Sequence, residues 1–171
     1  GHQPIETNDG DYAVTVNGEL YNYKRIRTQL GCQNLSTSGK SDSAIALPLY
    51  LRNGLSFVEH LRGEFAVVLY DNKKKQLILV RDRFGIKPLY YAMNDNGIVW
   101  GSEVKSILKH PDIDPQLCPK AALHQMMQVM VPGSTSFQGV EALKPGHMLI
   151  VSLQDGRLEA RTKRWWDFVF P

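Results

Sequence analysis

The stretch FAVVLYDNKKKQLILV, residues 65–80, decides the fold class. Its first six residues are apolar almost without a break, the pattern of a strand covered on both faces, and its last five are β-prone again. The polar residues 71–75 between them read as a hairpin turn. Downstream, residues 89–92 and 98–100 repeat the strand pattern, and residues 94–97 form a turn of the kind that closes hairpins, so a meander is expected. Upstream, residues 12–16 are a short β-prone run that stops at Asn17-Gly18, which places a loop at residues 17–22.

The flanking segments change period. Tyr23, Ile26 and Leu30 lie at helical spacing before a Gly31 stop, and residues 35–40 are a Ser, Thr and Gly loop. Ser41, Asp42 and Ser43 offer N-caps for an apolar helix through Ile45, Leu47, Leu49 and Leu51. That helix must be buried, and Pro48, which lacks an N–H, requires it to start late or to kink. A short helix is expected at residues 57–61, and two more at 103–109 and 119–130, before short strands such as 148–153 return between Pro-Gly and Asp-Gly turns. Helices grouped against antiparallel strands indicate an α+β fold. No repeat or low-complexity linker interrupts the chain, so residues 1–171 are expected to form a single domain.

Composition excludes several functions. The 171 residues carry 20 basic and 17 acidic side chains scattered along the chain, a formal charge of +3, which gives no field to hold nucleic acid or an anionic membrane. Lys73-Lys74-Lys75 reads as a solvated hairpin turn, and the basic run 161–164 as an exposed strand face. No segment approaches the roughly eighteen apolar residues of a membrane span. Cys32 and Cys118 stand far apart with no second Cys or His at ligand spacing, which suggests neither a metal site nor a disulfide and makes the cytoplasm the default compartment.

Four residues carry candidate chemistry. By themselves, Asn17-Gly18 reads as a turn, Glu19 as a surface residue at a helix start, and Asp42 as an N-cap. In YAVTVNGELYN (residues 12–22) and Ser41-Asp42, however, the chain resembles the glutamine-binding segments of class II glutamine amidotransferases of the asparagine synthetase type. RDRFGIKPLYY (81–91), GSEVK (101–105), VPGSTSFQGVEALKPGHMLI (131–150) and Trp165-Trp166 are similar to the same subfamily, and Gly1-His2-Gln3-Pro4 resembles its G-x-Q-P segment. One departure is Ala44, where the family usually has an acid. Arg81, Asp82, Arg83 and Gly85 read as a structural ion-pair and turn unit.

The resemblance implies the four-layer α-β-β-α sandwich of N-terminal-nucleophile hydrolases, incomplete at the N-terminus. It implies hydrolysis of glutamine to glutamate and ammonia by an N-terminal Cys, whose α-amino group is the base. The Asn17 amide and the Gly18 N–H then serve as oxyanion donors, while Glu19 and Asp42 bind the α-ammonium of glutamine. The Cys and an upstream Arg have no counterpart here, since residue one is Gly, so the chain alone is expected to be inactive. No cofactor is expected in these residues; ATP and Mg belong to a synthetase domain whose phosphate loop this sequence lacks. The partners expected are glutamine, a synthetase domain, or a second copy joined through exposed sheet. The alternative is a stand-alone binding or scaffold protein that keeps the fold without catalysis.

Overall fold

A computed structural model describes residues 2–31, 41–129 and 131–169 of the chain. Cys32 and the loop expected at 35–40 lie outside them. The described chain falls into two compact units, residues 1–87 with 145–171, and residues 88–144 between them; no composition shift marks either boundary.

The first unit opens with strands β1 (Ile5–Glu6) and β2 (Tyr12–Leu20) and helix α1 (Tyr23–Gln29). A 3-10 turn at Asp42–Ile45 leads into α2 (Ala46–Asn53), and a second 3-10 segment, Gly54–His60, occupies the place expected for the short helix at 57–61. Strands β3 (Gly63–Asp71) and β4 (Gln76–Arg81) follow. In the second unit come β5 (Tyr90–Asn94), β6 (Gly97–Gly101), α3 (Val104–Ile107), α4 (Pro119–Met126) and β7 (Val140–Ala142), after which β8 (His147–Gln154) and β9 (Arg157–Arg164) return to the first.

The six-stranded sheet of the first unit has the order β1-β2-β3-β4-β8-β9, antiparallel throughout. On one face, Val14, Val16, Leu20, Phe65, Val67, Leu69, Ile78, Val80, Met148 and Ile150 join Ile26, Ile45, Leu47, Leu49 and Phe57 from the helical segments in one buried core. Side chains alternate across a strand, so the continuous apolar run of β3 also buries Ala66 and Val68 on the other face, as its composition requires. Pro48 sits in the first turn of α2, where its missing N–H costs no helical hydrogen bond; the 3-10 turn before it makes the helix start late.

Two strand expectations change. The meander ends at β4, whose next neighbour is β8; β5 and β6 belong to a separate sheet of order β6-β5-β7. The cause is the turn after β4. The buried Asp82 carboxylate accepts the N–H groups of Phe84, Ile86 and Lys87, curling the chain where a hairpin would have continued the sheet. The expected ion-pair unit at 81–85 is therefore built on backbone: Arg81 donates to the carbonyls of Gly85 and Lys87, and the Arg83 guanidinium lies over Trp165 and Trp166 at 5.4 and 5.9 Å.

The second correction concerns residues 17–22. β2 runs through Asn17 and Gly18 to Leu20, because β3 supplies a cross-strand partner for every residue back to Gly63. Gly18 (φ +130°) and Gly63 (φ +150°) make this possible, since a Cβ on either would stand 2.0 Å from a carbonyl oxygen of the facing strand, Glu64 or Glu19.

The basic run at 73–75 closes the β3–β4 hairpin, with Lys73 paired to Asp11 at 3.0 Å. In the second unit, the helix expected over 103–109 is reduced to the single turn α3, with Glu103 as its N-cap residue, making no side-chain cap bond and pairing with Lys105. α4 ends at Met126, short of the expected residue 130, as Gln128 turns to φ +58°.

Candidate functional site

The end of β2 gathers the candidate residues. Val14, Val16 and Leu20 are buried in the core, so the alternation of the strand puts Asn17 and Glu19 on the opposite face, where both are exposed. The phase of the backbone follows from the Tyr21 N–H, which donates to Arg62 O across the β2–β3 ladder at 2.8 Å. Odd-numbered residues thus exchange hydrogen bonds with β3, and even-numbered N–H groups point to the other margin.

Among the described residues, that margin is only partly covered. β1 reaches Ala13 and Val14. The next outward group, Val16, is clamped by the side chain of Gln3, whose Oε1 accepts the Val16 N–H at 2.7 Å while Nε2 donates to Val16 O at 2.9 Å. The Leu20 N–H donates to Asp42 Oδ2 at 2.7 Å. Between these two anchors the same alternation directs the Gly18 N–H toward the margin.

Asp42 is delivered by the 3-10 turn before α2, and its neighbour Ser41 is held by Arg27, whose Nη2 donates to the Ser41 carbonyl at 2.9 Å. The N-cap role read for Asp42 gives way to this longer-range bond: neither Ser41 nor Ile45, the residues preceding the two helical segments, makes a side-chain cap hydrogen bond. Ala44, the departure from the family pattern, is buried in the core, where an acid would have to be desolvated.

A second acid stands beside Glu19. Glu64 lies directly across the ladder from it, and Glu64 Oε1 pairs with Lys87 Nζ at 3.3 Å. Lys87 is fixed in turn by Asp82, which accepts its N–H at 3.0 Å. Sequence reading missed Gln3, Glu64 and Lys87 as parts of this region. The available signal for Glu64 was a charge inside the strand segment, between Gly63 and the apolar run that begins at Phe65.

The structure thus brings Asn17, Gly18, Glu19 and Asp42 to one end of one strand. Chemically this is an outward N–H and a side-chain amide next to carboxylates, a layout that suits a ligand with a polar carbonyl and a positive charge. Cys118 is a free, half-buried thiol preceding α4 in the second unit. Among the described residues no three His, Cys, Asp or Glu converge as a metal site, and no helix is long and apolar enough to cross a membrane.

Comparison with known proteins matches this geometry to a family. The family model for a glutamine amidotransferase domain covers residues 1–166. The amidase chry2 of Gibberella zeae is 39% identical over 171 residues, all of this chain and 24% of that protein. An asparagine synthetase (glutamine-hydrolysing) of Bacillus subtilis is 34% identical over 173 residues, 98% of this chain and 23% of that protein. The chain therefore spans about a quarter of the length of these relatives. Among solved structures, the glutamine phosphoribosylpyrophosphate amidotransferase of B. subtilis superposes with a TM-score of 0.59 at 21% identity, over 98% of this chain and 32% of that one. An allosteric regulatory enzyme of purine biosynthesis gives 0.61 at 20% identity, over the same shares. These likenesses give the α+β fold of the N-terminal-nucleophile amidotransferases. The chain belongs to the glutamine amidotransferase domain family, of the type found in asparagine synthetases.

Proposed function

We propose that these residues form the substrate-binding and oxyanion half of a glutaminase site, supplying ammonia to an ATP-dependent synthetase domain. One observation carries this reading: the Gly18 N–H is directed outward between two anchored neighbours, with Asp42 tied to Leu20 two residues away. Attack on the glutamine amide carbon places negative charge on its oxygen, and the Gly18 N–H with the Asn17 amide would meet that charge. The α-ammonium of glutamine would sit against Asp42 and Glu19, with Glu64 adding negative charge balanced by Lys87.

The attacking group in this mechanism is a Cys thiolate whose own α-amine takes the proton, and Gly1 offers no side-chain nucleophile. Taken alone, the 171 residues therefore bind glutamine and release no ammonia, and they need no cofactor; ATP and Mg act in the synthetase domain. Relatives named as amidases and as asparagine synthetases share this domain, so the reading stops at ammonia supply and leaves the acceptor open.

Calorimetric titration with glutamine and an ammonia assay on the same preparation test both parts. Saturable binding that weakens at least about tenfold in Asp42→Asn and Glu19→Gln, without ammonia, is expected, a loss the size of one charge-assisted contact. Absence of binding would overturn the substrate assignment, and ammonia release abolished by Asn17→Ala would overturn the assignment of inactivity.

A further inference from the structure

Away from β2, on the helical side of the first unit, a cavity of about 360 Å³ opens between α1 and α2. Arg25 and Gln29, one helical turn apart, form one wall; Leu49, Arg52 and Asn53 form the other, and His60 closes an end. Among the described residues no Asp or Glu lines it. The Arg25 guanidinium has no hydrogen bond or ion pair among the described residues. Arg52 spends one N–H on the carbonyl of Gln29 at 3.2 Å and keeps the rest of its fork. His60 is held through its backbone, by the Asn22 side chain, which leaves its ring available.

Two guanidinium groups sharing a cleft with no carboxylate among its described lining repel one another, and an anion relieves that repulsion. Guanidinium forks match the paired oxygens of a phosphate, and each such bond is charge-assisted. The floor is apolar: the almost fully buried core residues Ile26 and Leu49, with the half-buried Leu30, line it beside the guanidinium groups. A volume near the lower end of the roughly 300–1,000 Å³ range of small-molecule sites suits a small ligand. We infer that the α1–α2 cleft is a binding site for a small phosphate monoester, its phosphate held by Arg25, Arg52 and His60 and its apolar body lying on Ile26 and Leu49. The site is independent of the glutamine reading, lying on the opposite face of the sheet from Asn17 and Glu19.

The test titrates phenyl phosphate, inorganic phosphate and benzyl alcohol separately into the intact chain, followed by calorimetry and by backbone amide shifts. Saturable binding of phenyl phosphate is expected, with shifts centred on residues 25–30 and 49–53, and weaker binding of inorganic phosphate. Arg25→Gln should weaken it at least about tenfold, the loss of one charge-assisted partner. Arg25 has no partner to lose among the described residues, so this variant should fold as the parent does, which circular dichroism checks. Absent binding up to about 10 mM, weaker than most specific complexes, or binding unchanged in Arg25→Gln, overturns the site. Inorganic phosphate or benzyl alcohol binding as tightly as phenyl phosphate overturns the assignment of a monoester with an apolar body. A glutamine titration of the same samples should be unaffected by Arg25→Gln, which separates this result from the reading of the β2 site.

Discussion

The carboxylate of Asp42 accepts the backbone N–H of Leu20 at 2.7 Å, tying the turn before α2 to the end of the strand that carries Asn17, Gly18 and Glu19. The bond needs an acceptor oxygen, whereas holding an ammonium needs the charge. Asp42→Ala should therefore lower unfolding free energy by about 2 kcal/mol, typical of a hydrogen bond to a charged group. Asp42→Asn, which keeps an acceptor, should recover most of that stability yet still lose glutamine affinity. Urea midpoints beside calorimetric titration would separate the two roles; an Asn variant that binds as well as the parent would remove Asp42 from recognition.

Gly18→Ala tests the close approach of β2 and β3. Its new methyl would meet Glu64 O at 2.0 Å, in a backbone region that L residues rarely occupy. The cost should be about 3 kcal/mol or more, combining strain and overpacking. Gly63→Ala, whose methyl would meet Glu19 O at the same distance, should cost a similar amount. Because the two glycines relieve adjacent crowding, the double variant should fall short of the sum of the singles. Denaturant melts of all three variants provide the check.

Asp82 should be the least replaceable polar residue of the first unit. It is fully buried and accepts N–H groups from Phe65, Phe84, Ile86 and Lys87. Asp82→Ala would leave those donors without their carboxylate, at about 3–5 kcal/mol, the range for breaking a buried charged network. Loss of cooperative unfolding or of soluble expression is the expected readout, and a variant within about 1 kcal/mol of the parent would contradict the role given to the turn.

Acid should destabilise the β3–β4 hairpin through Asp71. Burial pushes its carboxyl up, but hydrogen bonds from the Tyr50 hydroxyl (2.6 Å) and the Lys74 N–H (2.9 Å), with the Lys74 ammonium at 3.4 Å, outweigh burial and hold it below the ordinary carboxylate value. A depressed folded-state value means that the stabilisation is complete above the unfolded carboxyl's range, near pH 4, and is lost as pH falls through the folded value. Tyr50→Phe removes one of the opposing bonds, so its acid loss should begin in the same range but be smaller and finish at a higher pH. Urea midpoints measured from about pH 6 down to about pH 2 would show this, and identical profiles for parent and variant would contradict it.

The legibility of the fold followed the range of the deciding contact. Residues 65–80 declare two strands and a turn because the contrast between apolar runs and DNKKK is local. Asn17-Gly18 misleads because a turn and a strand position needing close backbone approach demand the same residue; the arbiter is Phe65, far along the chain. The meander failed for a related reason. Hairpin signals around residues 94–97 were correct, but the sheet that β5 joins depends on how the Asp82 turn redirects the chain. In the candidate site, Asp42 could be picked out by family resemblance, while its partner Leu20, 22 residues away, could not.

β9 closes the six-stranded sheet on one side, and from Arg157 to Arg164 its side chains are mostly exposed and rich in Arg and Lys. Such a border resists docking of a second strand, because a like-charged copy brought alongside would be repelled. Growth of the sheet by addition of a foreign segment is thereby steered to the far border, past the two-residue β1, where the amide of Gly18 faces out. Under the proposed glutaminase reading, the amide that would meet a substrate oxygen is then also a hydrogen-bonding foothold for an incoming backbone, and bound glutamine would guard the chain against unwanted assembly.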